Sequence, residues 1–138
     1  MKELRKKVML LLEEKLLEFG FEKKMLNTFV RQLDDNRIQN IGFTFANCGQ
    51  KYSFYLNPVI GVAYKNVNRL AAQLNNALPF KYPEYVYATI STPLGYLMPE
   101  NTFKEWKFSN PEAGHRELTS DAGMQCSDLL HLCGELCL

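Results

Sequence analysis

Long apolar runs are missing from this chain of 138 residues. None approaches the ~18 residues that span a bilayer, so the sequence predicts no membrane-spanning helix and no membrane partner. A charge imbalance is missing too. Sixteen basic and 15 acidic side chains leave a net charge of +1. Nucleic-acid binders usually show a basic excess or stripe, and a decoy of nucleic acid would be strongly acidic. Neither pattern is present, so no nucleic-acid partner is expected. Histidine is scarce, with two residues and no His-rich metal motif. No glycine loop of the phosphate-cradling kind occurs. The four cysteines contain no C-x-x-C pair, and three crowd into the last 13 residues. A secreted disulfide framework is not laid out that way. Glu3, Glu13, Glu14 and Glu18 interrupt the leucines of the first segment, which reads against a signal peptide. The expected compartment is the cytoplasm.

What remains is an ordinary globular composition, 46% hydrophobic and 22% charged. The length fits one domain, residues 1–138, and such a chain buries roughly two-thirds of its unfolded surface. Residues 2–19 carry Leu4, Val8, Leu11, Leu12, Leu16 and Phe19 at helical spacing, which predicts an amphipathic helix. Gly20 stands where a helix usually stops. From Asn27 the period becomes two, and Phe29, Arg31 and Leu33 alternate with Thr28, Val30 and Gln32. Asp34, Asp35 and Asn36 signal a turn. Residues 37–46 and 51–64 read as two further strands, with Pro58 and Gly61 predicting a bend, bulge or edge. Asn66 is placed to cap a second helix whose buried stripe would be Val67, Leu70, Ala71, Leu74 and Leu78. Strands over 85–91 and 103–108 and a helix over 126–137 complete the order. Hairpin-linked strands beside helices predict an α+β domain. Its antiparallel sheet would have about five strands, with helices mainly on one face.

Two places hold chemistry-bearing residue types. Cys126, His131, Cys133 and Cys137 are zinc-ligand types, but on a helix the thiols fall on the same face as Leu129 and Leu130. They read as small buried hydrophobes, and no metal or other cofactor is expected. Cys48 sits in a polar turn. A nucleophile needs a base and an orienting group within hydrogen-bond reach; His115 with Glu117 or Asp121 are the residues available. Nothing in the spacing brings them together, so no enzyme is expected. A cysteine-dependent enzyme using Cys48 stays as the rival reading, beside a ligand- or protein-binding adaptor.

The aromatic segment is richer. Phe80, Tyr82, Tyr85, Tyr87 and Tyr96 are interleaved with Lys81 and Glu84. Tyrosine is enriched where proteins meet, because it offers large area at low entropic cost. The same rings also suit a sheet face. Tyr82, Tyr85, Tyr87 and Tyr96 are therefore one candidate partner surface, and Arg31, Asp34, Asp35 and Arg37 of the first hairpin are a second.

A resemblance adds to this. Gly20, Phe21, Lys23 and Lys24 lead into Phe29-x-Arg31, followed by Ile38, Ile41 and Phe43 and then by Phe54, Leu56 and Asn57. A helix, a Gly-Phe-Lys-Lys segment, an aromatic-x-Arg strand and two such strands resemble a widespread bacterial family of small domains of unassigned function. Trp106 stands where that pattern has a later strand tryptophan. Thr44 departs from it, since the family often has a glutamine there. The resemblance covers residues 1 to about 65. It implies a small α+β fold, and such domains occur among immunity proteins of polymorphic and contact-dependent toxins. It brings no catalytic residues. The expectation it leaves is an immunity protein that binds a cognate toxin domain and occludes its active site or substrate surface.

Overall fold

The computed structural model describes residues 2–47, 53–74 and 88–109. Helix α1 (Lys2–Glu18) leads to strands β1 (Glu22–Met25), β2 (Thr28–Gln32), β3 (Arg37–Ala46) and β4 (Ser53–Tyr64). Helix α2 (Lys65–Leu74), β5 (Ile90–Pro93), a 3-10 turn (Leu94–Leu97) and β6 (Trp106–Ser109) follow. All strand pairings are antiparallel. The sheet runs β1-β2-β3-β4-β5, and β6 pairs with β4 as well. The fold is α+β, as the alternation of periods predicts.

The end of α1 shows how Gly20-Phe21 works. Gly20 has φ +80°, a conformation that glycine adopts without a Cβ penalty. Its N–H donates to Leu17 O at 3.0 Å, and the Phe21 N–H donates to Leu16 O at 3.0 Å. These are the paired bonds of a Schellman closure, which normally brings an apolar contact between the two flanking side chains. Leu16 and Phe21 are both buried in the main core. The chain is thereby turned back so that β1 runs beneath α1.

That core lies between α1 and one face of the sheet. Val8, Met9, Leu12 and Leu16 of α1 meet Phe29, Ile41, Phe43, Phe54, Leu56 and Phe108. Phe29 and Phe43 pack edge-on at 5.9 Å, and Phe54 stacks on Phe108 at 5.3 Å. The buried stripe of α1 is rotated from the sequence expectation. Met9 is inside, while Leu11 and Phe19 are exposed, because the sheet covers a narrower arc than the leucines span. Val30, Ile38 and Ala63 form a small second cluster. Their register places them on the other face.

The sequence reading misses β1 altogether. All four of its residues are exposed, so no alternation of burial marks it. It is an edge strand, and the register slips between Lys23 and Met25. A bulge and two lysines are the usual protection of an open edge. The expected break in β4 is also absent: β3 and β4 pair without interruption from Arg37↔Tyr64 to Ala46↔Tyr55. On its other side β4 pairs β6 through Ser53–Leu56 and β5 through Val59–Val62. Pro58 falls in the gap between these partners, where no ladder bond asks for its missing N–H. Gly61 permits a close approach: a Cβ there would lie 2.5 Å from Asn40 Oδ1 and 2.6 Å from Ala88 Cβ.

Helix α2 begins directly after β4, so Asn66 lies inside its first turn rather than capping it. The cap comes from the β2–β3 turn. Asn36 accepts the Lys65 N–H on its backbone oxygen at 2.9 Å and the Asn66 N–H on Oδ1 at 3.0 Å. The buried Asn68 accepts from Thr89 Oγ1 at 2.8 Å, and that hydroxyl accepts the Tyr64 N–H at 2.8 Å. The expected apolar stripe of α2 is not inside. Val67, Leu70 and Leu74 are exposed, Leu74 at 75%.

Candidate functional site

The hairpin candidates divide once their contacts are known. Arg31 is half-buried and spans the junction of α1 and the sheet. Its Nη1 donates to Phe19 O at 3.0 Å, and its Nη2 donates to Gln39 Oε1 at 2.8 Å. The guanidinium lies over the Phe21 ring at 4.8 Å. This is a clamp between the helix end and β3. Asp34 closes the turn: Oδ1 accepts the Asn36 and Arg37 N–H groups, and Oδ2 accepts Arg37 Nε at 2.6 Å. The Arg37 side chain, helped by the Asn36 N–H, holds the Asp34 carboxyl below its ordinary pKa, and the same bond raises Arg37. Asp35 is exposed at the tip. Of the four, Asp34, Asp35 and Arg37 are exposed, with Asp34 and Arg37 bound to each other, and only Arg31 is drawn inward.

Tyr96 stands in a different setting. The 3-10 turn that carries it is pinned from below by Leu94, which is fully buried. Gly95 lies against the returning chain so closely that a Cβ there would come within 2.7 Å of the Lys104 backbone nitrogen. The Asn101 N–H donates to Met98 O at 2.9 Å, and Asn101 takes φ 47° to close this loop. On the outside of the platform Tyr96 is 45% exposed and Phe103 52% exposed, with ring centroids 6.5 Å apart. Leu97 is exposed beside them. The other tyrosines of the candidate surface, Tyr82, Tyr85 and Tyr87, lie outside the described residues. So do Cys48, His115, Glu117 and Asp121, and the tail residues Cys126, His131, Cys133 and Cys137.

A concave feature lies toward the β1 edge and has no sequence signal of its own. A cleft of about 450 Å³ opens between α1, the β1–β2 turn and the end of β3. Met9, Leu10, Leu26 and Phe45 give it an apolar lining, while Lys2, Arg5, Lys6 and Lys23 bring four cations to it. One carboxylate lines it, Glu13, and this is paired with Lys23. Arg5 is partly committed, since its guanidinium lies over Phe45 at 5.2 Å and Phe54 at 5.5 Å and bonds Asn47 Oδ1. Helical spacing explains the grouping: Lys2, Lys6 and Leu10 follow one another four apart, as do Arg5, Met9 and Glu13. The sequence predicts the helix but singles out none of these residues for binding, and only the placement of the β1–β2 turn makes this flank a cleft.

Among the described residues no three or more His, Cys, Asp or Glu side chains stand close enough to hold a metal ion. No described helix is long and apolar enough to cross a membrane. No protein-family model, curated protein or solved structure matches the chain.

Proposed function

We propose that this domain binds a partner protein through the surface built on Tyr96 and Phe103, as an immunity-type protein that neutralises a cognate toxin domain by occlusion. The observation that carries the reading is the aromatic pair itself: two large rings half in solvent on a turn anchored by a buried leucine. Interfaces draw most of their energy from a few aromatic anchors. A rigid platform loses little conformational entropy when such anchors are covered. The charged residues Glu100, Lys104 and Glu105, near Phe103 in the sequence, are exposed as well, and polar residues are what the rim of a partner surface carries. The immunity part of the reading is supported by the resemblance of the Gly20-Phe21-x-Lys23-Lys24 segment and the Phe29-x-Arg31 strand to domains found beside bacterial toxins. Inhibition by occlusion asks for no catalytic group in the inhibitor.

The test is a titration of the purified chain with the toxin domain encoded next to it. Tyr96→Ala and Phe103→Ala are expected to weaken binding at least about tenfold, a loss of ~1.4 kcal/mol, with thermal unfolding unchanged. Cells expressing the toxin should lose protection in parallel. Binding at wild-type strength by both variants removes this surface from the interface. A neighbouring toxin that the wild-type chain neither binds nor inhibits overturns the immunity reading itself.

A further inference from the structure

The cleft beside α1 is independent of the Tyr96 platform. It lies toward β1, while Tyr96 follows β5 at the other end of the strand order. We infer that this cleft is a second binding site, which receives a short acidic segment of a partner polypeptide with an apolar side chain as its anchor.

Charge and shape carry the argument. Lys2 and Lys6 have no acidic partner among the described residues, and the lining adds Arg5 and Lys23 against the lone, already paired Glu13. A chain of net charge +1 therefore concentrates cations at one concave spot, where a carboxylate meets them at reduced solvent screening. The apolar part is equally specific. Leu26 is 82% exposed at the tip of the β1–β2 turn, a position usually filled by glycine, asparagine, aspartate or serine. Leu10 is exposed on the facing wall, and Met9 forms the base. An apolar side chain entering between Leu26 and Leu10 would cover both.

The volume decides the size of the occupant. About 450 Å³ falls within the roughly 300–1,000 Å³ of pockets that enclose small ligands, enough for a few side chains and not for a domain face. The edge of β1 does not take the segment as an added strand, because its bulge and lysines oppose pairing. A bilayer surface cannot fill a concavity with Met9 at its base. Single-stranded nucleic acid is held by exposed stacking aromatics, whereas this lining is aliphatic except for the half-buried Phe45.

Peptide display against the purified full-length chain tests this directly. Enriched peptides are expected to carry at least two Asp or Glu next to Leu, Met or Phe. A synthetic copy of the best one should bind at least about tenfold more weakly to the Lys2→Gln/Lys6→Gln variant and more weakly to Leu26→Ser, with affinity falling as salt rises. Tyr96→Ala should bind it like wild type, which separates this site from the aromatic platform. Circular dichroism melts confirm that these surface changes leave the fold intact. Enrichment of neutral or basic peptides, no enrichment, or wild-type affinity in the lysine variant overturns the proposal. So does a result in which phosphatidylserine vesicles or single-stranded DNA bind in a Lys2- and Lys6-dependent way and acidic peptides do not.

Discussion

Single side chains fix the junctions of this fold, and the turn between β2 and β3 shows how much one turn can hold. Asp34 accepts three bonds from within the turn, and Asn36 reaches outward to cap α2. Replacing Asn36 with alanine removes the side-chain acceptor for the Asn66 N–H. A lost helix cap costs about 1 kcal/mol, and urea unfolding should show that loss. Asn36→Asp keeps the acceptor and places a negative charge at the helix N-terminus, so its stability should match or exceed that of the wild type. Asp34 responds to pH instead. Its pKa is lowered in the folded chain, chiefly by the Arg37 side chain. A depressed carboxyl contributes stability above its unfolded pKa, about 3.9 for aspartate, and loses it as pH falls through the lower folded value. Protection factors at Asn36 and Arg37, which allow for the intrinsic slowing of amide exchange in acid, should therefore fall below about pH 4, and this fall should be absent in Asp34→Asn.

At the scale of elements, one strand and one helix depart from their sequence signatures for separate reasons. Pro58 sits within β4 without breaking it because β5 and β6 leave a gap opposite it. Gly61 is different, since the space its missing Cβ would occupy is already taken by Asn40 and Ala88. Gly61→Ala should destabilise by about 1–3 kcal/mol, the usual cost of overpacking, whereas an alanine at the open Gly42 position should change little. Equilibrium unfolding of the two variants checks the contrast. The stripe Val67, Leu70 and Leu74 of α2 has helical spacing but faces solvent. Periodicity reports that a helix has an apolar face; it does not report what lies against that face.

On the scale of the whole molecule, the core depends on one helix crossing one sheet face. Phe29 is at its centre, fully buried against Phe43 and beneath the Lys23 ammonium at 5.9 Å. Phe29→Ala should cost about 3–5 kcal/mol, enough to lower the melting temperature sharply in calorimetry. The same dependence explains what sequence reading reached. Alternating Phe29 and Arg31, the 37–46 strand with Ile41 and Phe43, and the Gly20 stop were legible, because each is set by local backbone chemistry or by a strict period of two or 3.6. These features determined the α+β class, α1 and the central hairpin. Three things were decided only by the tertiary structure. β1 exists because β2 offers it an edge, although its own four residues are all exposed. Arg31 is a clamp rather than a free contact, because folding brings Phe19, Phe21 and Gln39 around its guanidinium. The cationic cleft exists because a turn carrying Leu26 comes to rest beside Lys6 and Leu10, more than a dozen residues away in sequence. Local periods encode which face of a segment is apolar. Which distant segment meets that face depends on chain reversals and strand order, and these are settled only when the whole core closes.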